Sequence, residues 1–149
     1  MAENLNHIID RIRAVHRQLA ERFERVETTT EQSRLRLVLD YVARYENGLD
    51  EALEEYQARA PRAMLDAVFK SMPGRPLEDC LEEVKIDPND PDSVLHSVVA
   101  MNRCLIETLR KMSSGVLAHD AREFFDLLIQ IEEREERRLV RDAVEMDDL

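Results

Sequence analysis

Hydrophobic residues recur every three or four positions in four long stretches of the chain, which is the period of an amphipathic α-helix with one buried face. These stretches cover about residues 3–26, 30–58, 92–112 and 120–145. The pattern therefore predicts an all-α fold with four long helices. The stripe positions are Leu5, Ile9, Ile12, Leu19, Phe23 and Val26; Leu35, Leu39, Val42, Leu49, Leu53 and Tyr56; Leu95, Val98, Leu105, Leu109 and Met112; and Phe125, Leu128, Leu139 and Ala143.

Local breakers set the ends of these helices. Three consecutive threonines follow the first stretch, and Ser113-Ser114-Gly115 follows the third. Asn47-Gly48 interrupts the second stretch, but the apolar stripe continues in phase through it. We therefore predict one continuous second helix.

A connector of about residues 59–91 separates the second helix from the third. It holds all five prolines, and short helical pieces are predicted at about 62–71 and 77–84. A helix of about 26 residues is only about 39 Å long, so the connector is long enough to run the length of a bundle. One domain over residues 1–149 is predicted: a four-helix bundle, ferritin-like, with a long crossover between the second and third helices. A simple up-down bundle with a long loop is the alternative.

Charge and composition exclude several classes of partner. The formal net charge of −11 disfavours nucleic acids and anionic membranes, because both are polyanions. No stretch approaches the roughly 18 uncharged apolar residues of a membrane span, and the first residues lack a signal-peptide pattern. A cytoplasmic protein is expected. Cys80 and Cys104 are then expected to be reduced thiols that act as small packing residues.

Polar residues interrupt the apolar stripe of every predicted helix. These residues are His16, Glu46, Asn102, Glu132 and Glu135. His16 and Glu46 are 30 residues apart, on either side of the link between the first two helices. Asn102 and Glu132 are also 30 residues apart, on either side of the link between the last two. The two members of each pair are therefore expected to face each other. Because unpaired polar groups in a core cost about 1–3 kcal/mol each, the residues are expected to bond to one another or to share an ion.

Two segments resemble a known family. Residues 124–136, FFDLLIQIEEREE, are similar to the last bundle helix of rubrerythrins and related ferritin-like proteins, and residues 41–46, YVARYE, are similar to the second. The resemblance implies a diiron bundle, in which two helices give one carboxylate each and two give a Glu-x-x-His motif. His16 and Asn102 would occupy the single-carboxylate positions. Glu46-x-x-Leu49 and Glu132-x-x-Glu135 would occupy the motif positions.

The departures from that motif weaken the expectation of a diiron centre. Both histidines of the Glu-x-x-His motifs are missing, and the neutral Asn102 stands where an acid is needed to balance metal charge. His16, Glu46, Glu132 and Glu135 would still suit one iron, manganese or zinc ion. A hydrogen-bonded cluster without metal, or glutamates that turn outward, is the alternative.

No nucleophile motif or glycine-rich phosphate loop is found in the sequence, so no catalytic residue is predicted. The preferred interpretation is a ferritin-like bundle without a complete diiron centre that acts by protein–protein interaction, as a homodimer or with a partner bound to a helix face. A redox or metal-storage protein with an altered site is the alternative, and an acidic helical adaptor unrelated to ferritins is a third. Met64, Leu65, Val68 and Phe69 form a small apolar stripe that either caps the bundle or meets a second subunit.

Overall fold

The fold is all-α in a computed structural model that describes residues 2–70, 76–116 and 119–147. Four long helices correspond to the four predicted stretches, and two short strands and two short helical pieces accompany them. The elements are β1 (Ala2–Asn4), α1 (Leu5–Thr29), α2 (Ser33–Arg59), α3 (Arg62–Leu65), β2 (Val68–Lys70), a 3₁₀ helix (Leu77–Glu83), α4 (Asp92–Ser114) and α5 (His119–Asp147).

The four stripes meet in one hydrophobic core. Every predicted stripe residue whose side chain is described is buried, except Val26 and Tyr56, which are partly buried against the same core. The side chain of Ala143 lies outside the described residues. Phe23, Phe124 and Phe125 are the largest of the fully buried side chains. Within the described part of the chain, no helix has a segment both long and apolar enough to cross a membrane.

Side-chain bonds join α2 to α4 and to α5 near the helix ends. The Arg34 guanidinium lies 3.2 Å from an Asp92 carboxylate oxygen, which joins the first turn of α2 to the first turn of α4. The Tyr41 hydroxyl donates to Asp142 at 2.7 Å, which joins the same end of α2 to the end of α5. These contacts place the start of α2 beside the start of α4 and beside the last part of α5.

Helix α1 starts and ends on local hydrogen bonds. The Asn4 side chain accepts from the backbone N–H of His7 at 2.7 Å, which satisfies one of the free N–H groups of the first turn. The hydroxyls of Thr28 and Thr29 donate to carbonyls three residues earlier, so these threonines remain in the helix rather than end it. The helix continues to Thr29, past the predicted end near residue 26.

The connector departs from the prediction in its first part. The helix predicted over 62–71 ends at Leu65, and residue 71 lies outside the described residues. After Leu65 the backbone forms hydrogen bonds with the start of the chain instead of within a helix. The Ala67 carbonyl accepts from the N–H of Leu5, and β2 pairs antiparallel with β1. The second predicted piece is confirmed as helical, in the tighter 3₁₀ form. Of the apolar stripe on this segment, Leu65 is buried but Val68 is 68% exposed.

The prediction of two reduced cysteines is wrong. Cys80 of the 3₁₀ helix and Cys104 of α4 form a disulfide, with their Cα atoms 5.6 Å apart. That separation lies within the usual disulfide range. The two residues are 24 positions apart and belong to no cysteine motif, so only the packing of the connector on α4 brings them together.

Replacing Gly48 by alanine should stabilise the protein by about 1 kcal/mol, because glycine inside a helix costs about that much relative to alanine. The residue lies within the uninterrupted α2, and an added Cβ would have no atom within 4 Å. Urea unfolding of the Gly48→Ala variant checks this. A loss of stability would show that the open space at Gly48 is needed by the fold.

Candidate functional site

The candidate site is a buried imidazole held between two carboxyl groups from two other helices. His16 of α1 bonds through Nδ1 to Oε2 of Glu46 on α2, and through Nε2 to Oε1 of Glu132 on α5 at 2.9 Å. His16 and Glu46 are fully buried, and Glu132 is 1% exposed. The three side chains therefore tie α1, α2 and α5 together inside the core.

The facing pairs expected from the sequence are confirmed. His16 contacts Glu46 across 30 residues, and the Asn102 amide of α4 donates to the backbone carbonyl of Glu132 at 3.3 Å, also across 30 residues. Each residue lies on the apolar stripe of its helix, so folding buries it with the stripe. Its polar group must then find a partner at the same depth.

The two bonds to His16 fix the proton content of the site. Two hydrogens are needed for the two N···O contacts, so either His16 is an imidazolium between two carboxylates or it is neutral beside one protonated glutamate. Both forms carry one net negative charge. Burial opposes the charged ring and is the largest influence, but Glu132 and Glu46 together outweigh it and raise the pKa of His16 well above 6.5. We therefore assign the imidazolium form.

Several polar atoms around this ring have no hydrogen-bond partner among the described residues. They are Oε1 of Glu46, Oε2 of Glu132, Oδ1 of Asn102 and the hydroxyl of Tyr45. Together with His16, these residues are called the His16 cluster below. Three of the four atoms are acceptors only, so they cannot satisfy one another. Burial also raises the pKa of Glu46, because its carboxylate is removed from water.

Tyr45 is the member of the site that sequence reasoning missed. Burial, followed by the nearby charges of Glu46 and Glu132, raises the pKa of Tyr45 above its usual value. The signal for it was weak, because Tyr45 follows Val42 by three residues and fits the ordinary apolar stripe. Only its hydroxyl, buried beside two glutamates, distinguishes it.

Glu135 is not brought into contact with His16. Its side chain is 22% exposed and forms an ion pair with Arg138 at 4.0 Å. It lines a surface groove of about 540 Å³ between α2 and α5, called the α2/α5 groove below. The groove-lining residues are Tyr41, Arg44, Tyr45, Gly48, Glu51, Ala52, Glu55, Glu135, Arg138 and Asp142. Tyr45 lines this groove, while its hydroxyl is buried and feels the charges of Glu46 and Glu132.

The donor set of the His16 cluster was compared with the needs of a metal centre. A bound transition-metal ion needs several deprotonated donor atoms directed at one point. Both nitrogens of His16 are engaged by carboxyl groups, and in the described residues no three His, Cys, Asp or Glu side chains are arranged to hold an ion. As arranged, the cluster does not fit a dinuclear centre.

Comparisons of the chain with protein-family models, with curated proteins and with solved structures found no match.

Raising the pH from about 7 to 8.5 should destabilise the fold. The pKa of His16 is raised, so the folded state holds the imidazolium proton more tightly than the unfolded state does. The contribution of His16 to the stability of the fold is complete when the pH is below 6.5, its ordinary pKa. The contribution is lost as the pH rises through the pKa that His16 has in the folded state. The slope is about 1.4 kcal/mol per pH unit for one proton. Urea unfolding at stepped pH measures it.

A control variant separates this effect from general repulsion in an acidic chain. Glu46→Gln removes one of the two carboxylates that raise the pKa of His16, so the slope above pH 7 should be smaller. Equal slopes for the variant and the wild type would contradict the assignment to the His16 cluster.

Proposed function

We propose that this protein is a ferritin-like four-helix bundle without a dinuclear metal centre, and that it acts through protein–protein contact as a homodimer. A cytoplasmic location is part of the proposal. The observation that carries it is the His16 side chain, whose two nitrogens are both bonded to buried carboxyl groups. The positive charge that a metal ion would supply between Glu46 and Glu132 is then supplied by the imidazolium.

The course of the helices supports the ferritin-like part of the proposal. Parallel α2 and α4 require a connection that crosses the length of the bundle, and a simple up-down order would make these two helices antiparallel. The contact between Arg34 and Asp92, at the first turns of both helices, favours the crossover order. The long connector provides the necessary reach.

The outer face of α2 and α5 supports the proposed dimer. Leu37 of α2 is 49% exposed and Leu127 of α5 is 42% exposed. Leu37 lies one turn before Tyr41, and Leu127 lies two turns before Glu135, so both continue the helix faces that line the α2/α5 groove.

Sedimentation velocity of the full chain tests the dimer. The wild type should sediment as a dimer, and the double variant Leu37→Glu with Leu127→Glu as a monomer with unchanged helix content by circular dichroism. Val68→Glu tests the other apolar stripe, on the connector, and should leave the dimer intact, because Val68 is an exposed apolar residue on β2 rather than on α2 or α5. A wild type that is monomeric at all concentrations, or a double variant that stays dimeric, contradicts the proposed face.

The alternative function is binding of one divalent ion, and one observation favours it. Oε1 of Glu46, Oε2 of Glu132 and Oδ1 of Asn102 are buried acceptors without a donor in the described part of the chain, and a cation would satisfy them. Elemental analysis of protein purified without a metal-affinity tag decides between the two. About one equivalent of iron, manganese or zinc that is lost in Glu132→Ala would favour the ion. Metal-free protein, even after metal is supplied during growth, would favour the imidazolium.

A further inference from the structure

The Cys80–Cys104 disulfide joins the connector to α4, and one of its two cysteines is partly exposed to solvent. Cys80 lies in the 3₁₀ helix and is fully buried, whereas Cys104 on α4 is only partly buried. An external thiol therefore has better access to Cys104 than to Cys80. The hydroxyl of Thr108 donates to the Cys104 carbonyl at 2.8 Å and lies 3.9 Å from the Cys80 sulfur. It can accept a hydrogen bond from Cys80 once that residue is a thiol.

Other bonds keep the connector docked on both sides of the disulfide. Glu78 receives two hydrogen bonds from Arg11 of α1, at 2.7 and 2.9 Å. The Ser97 hydroxyl of α4 bonds to both the N–H and the carbonyl of Lys85, at 3.1 and 2.9 Å. These bonds do not depend on the disulfide. After reduction these bonds would hold the two thiols near each other, so that the disulfide can form again without a large movement of the connector.

A disulfide in the cytoplasm is usually transient and redox-sensing, because glutathione and thioredoxin keep cytosolic thiols reduced. From the proposed cytoplasmic location, together with the docked geometry, we propose that Cys80 and Cys104 form a reversible redox latch on the segment 77–84. Oxidation fixes this segment to α4 by a covalent bond, and reduction leaves it held by non-covalent contacts, among them the polar bonds above and the burial of Leu77 and Val84.

The chemistry is a thiol–disulfide exchange with a low-molecular-weight disulfide such as oxidised glutathione. The Cys104 thiolate attacks one sulfur of oxidised glutathione, forms a mixed disulfide and releases one glutathione thiolate. The Cys80 thiolate then attacks the Cys104 sulfur and releases the second glutathione. Two electrons pass from the cysteine pair to oxidised glutathione, and the two thiol protons are taken up by the two glutathione thiolates.

Titration of the full-length wild type with mixtures of reduced and oxidised glutathione tests the proposal. After quenching with N-ethylmaleimide, intact mass should show two labels at high reduced glutathione and none at high oxidised glutathione, with a reversible transition between them. Hydrogen exchange of the amides in 77–84 should be several-fold faster in the reduced state, while exchange in the middle of α2 stays unchanged. Because both states belong to the wild type, no variant has to fold for this test.

Cys104→Ala is the control variant, and its segment 77–84 should exchange at the fast rate in every mixture. Three results would overturn the proposal: a disulfide that never forms, a disulfide that persists in reduced glutathione, or equal exchange of 77–84 in both states. Neither readout depends on dimerisation or metal content, so failure of the latch is distinguishable from failure of the proposed bundle function. A disulfide that persists in reduced glutathione would also argue against the cytoplasmic location.

Discussion

Truncation of the buried Glu132 to alanine should lower the free energy of unfolding by about 3–5 kcal/mol, which is the usual cost of removing one partner of a buried ion pair. Glu132 supplies one of the two carboxylates that hold the charge on His16, and its bond to Nε2 is 2.9 Å long. Without it, the ring must remain charged beside Glu46 alone or lose its proton and leave a nitrogen unpaired. Urea unfolding at pH 7 measures the loss.

Glu133→Ala is the matched control for this prediction. Glu133 is adjacent in the same helix, but it forms its ion pair with Arg110 at the surface, with 32% of its own side chain exposed. Such pairs contribute about 0–1 kcal/mol, so its removal should change stability by less than 1 kcal/mol. If the two variants lose equal stability, Glu132 is not a buried partner of His16.

A third variant separates the cost of unpaired charge from the cost of lost packing. Replacing His16, Glu46 and Glu132 together by leucine removes all the charge and keeps most of the volume. Buried ion networks replaced in this way by apolar residues often give equal or higher stability. We therefore expect the triple variant to be more stable than Glu132→Ala, although it has lost more polar bonds. A triple variant that is less stable than Glu132→Ala would contradict this expectation and would mean that the cluster contributes net stability to the bundle.

The sequence was sufficient to predict the four long helices and most of the polar cluster. An apolar stripe of period 3.6 depends only on local spacing, so it identifies both the helices and their buried faces. A polar residue within such a stripe must be buried with it, and this identified His16, Glu46, Asn102 and Glu132. Glu135 was placed in the same set, but it follows Glu132 by three residues, which is about 60° short of a full helical turn. Its side chain therefore lies at the α2/α5 groove instead of beside His16.

The features that were missed depend on contacts between distant parts of the chain. The strand Val68–Lys70 exists because it pairs with Ala2–Asn4, more than 60 residues earlier, and no local signal announces that pairing. The unpaired atoms of the His16 cluster are a second feature that was missed. The sequence indicates that these polar groups meet, but it does not indicate which oxygen atoms remain without a hydrogen-bond donor. The cysteine pair is the third example.

Reduction of the Cys80–Cys104 disulfide should lower the free energy of unfolding by about 3.5 kcal/mol. The bond closes a loop between residues that are 24 positions apart, and a loop of this size restricts the unfolded chain by about that amount in the chain-entropy model. The reduced protein should also show a steeper dependence on urea, because its unfolded state is less compact and exposes more surface. Urea unfolding with and without a thiol reductant measures both quantities in the same chain.

The control is Cys80→Ala, in which added reductant should change neither the midpoint nor the slope. A wild-type midpoint that does not respond to reductant would mean that the two cysteines are not bonded in solution. The size of the loss also bears on regulation. A domain of this length is stable by about 5–15 kcal/mol, so the expected loss weakens the fold without unfolding it. Folded forms with and without the disulfide can then both be populated, which is the condition that a reversible latch requires.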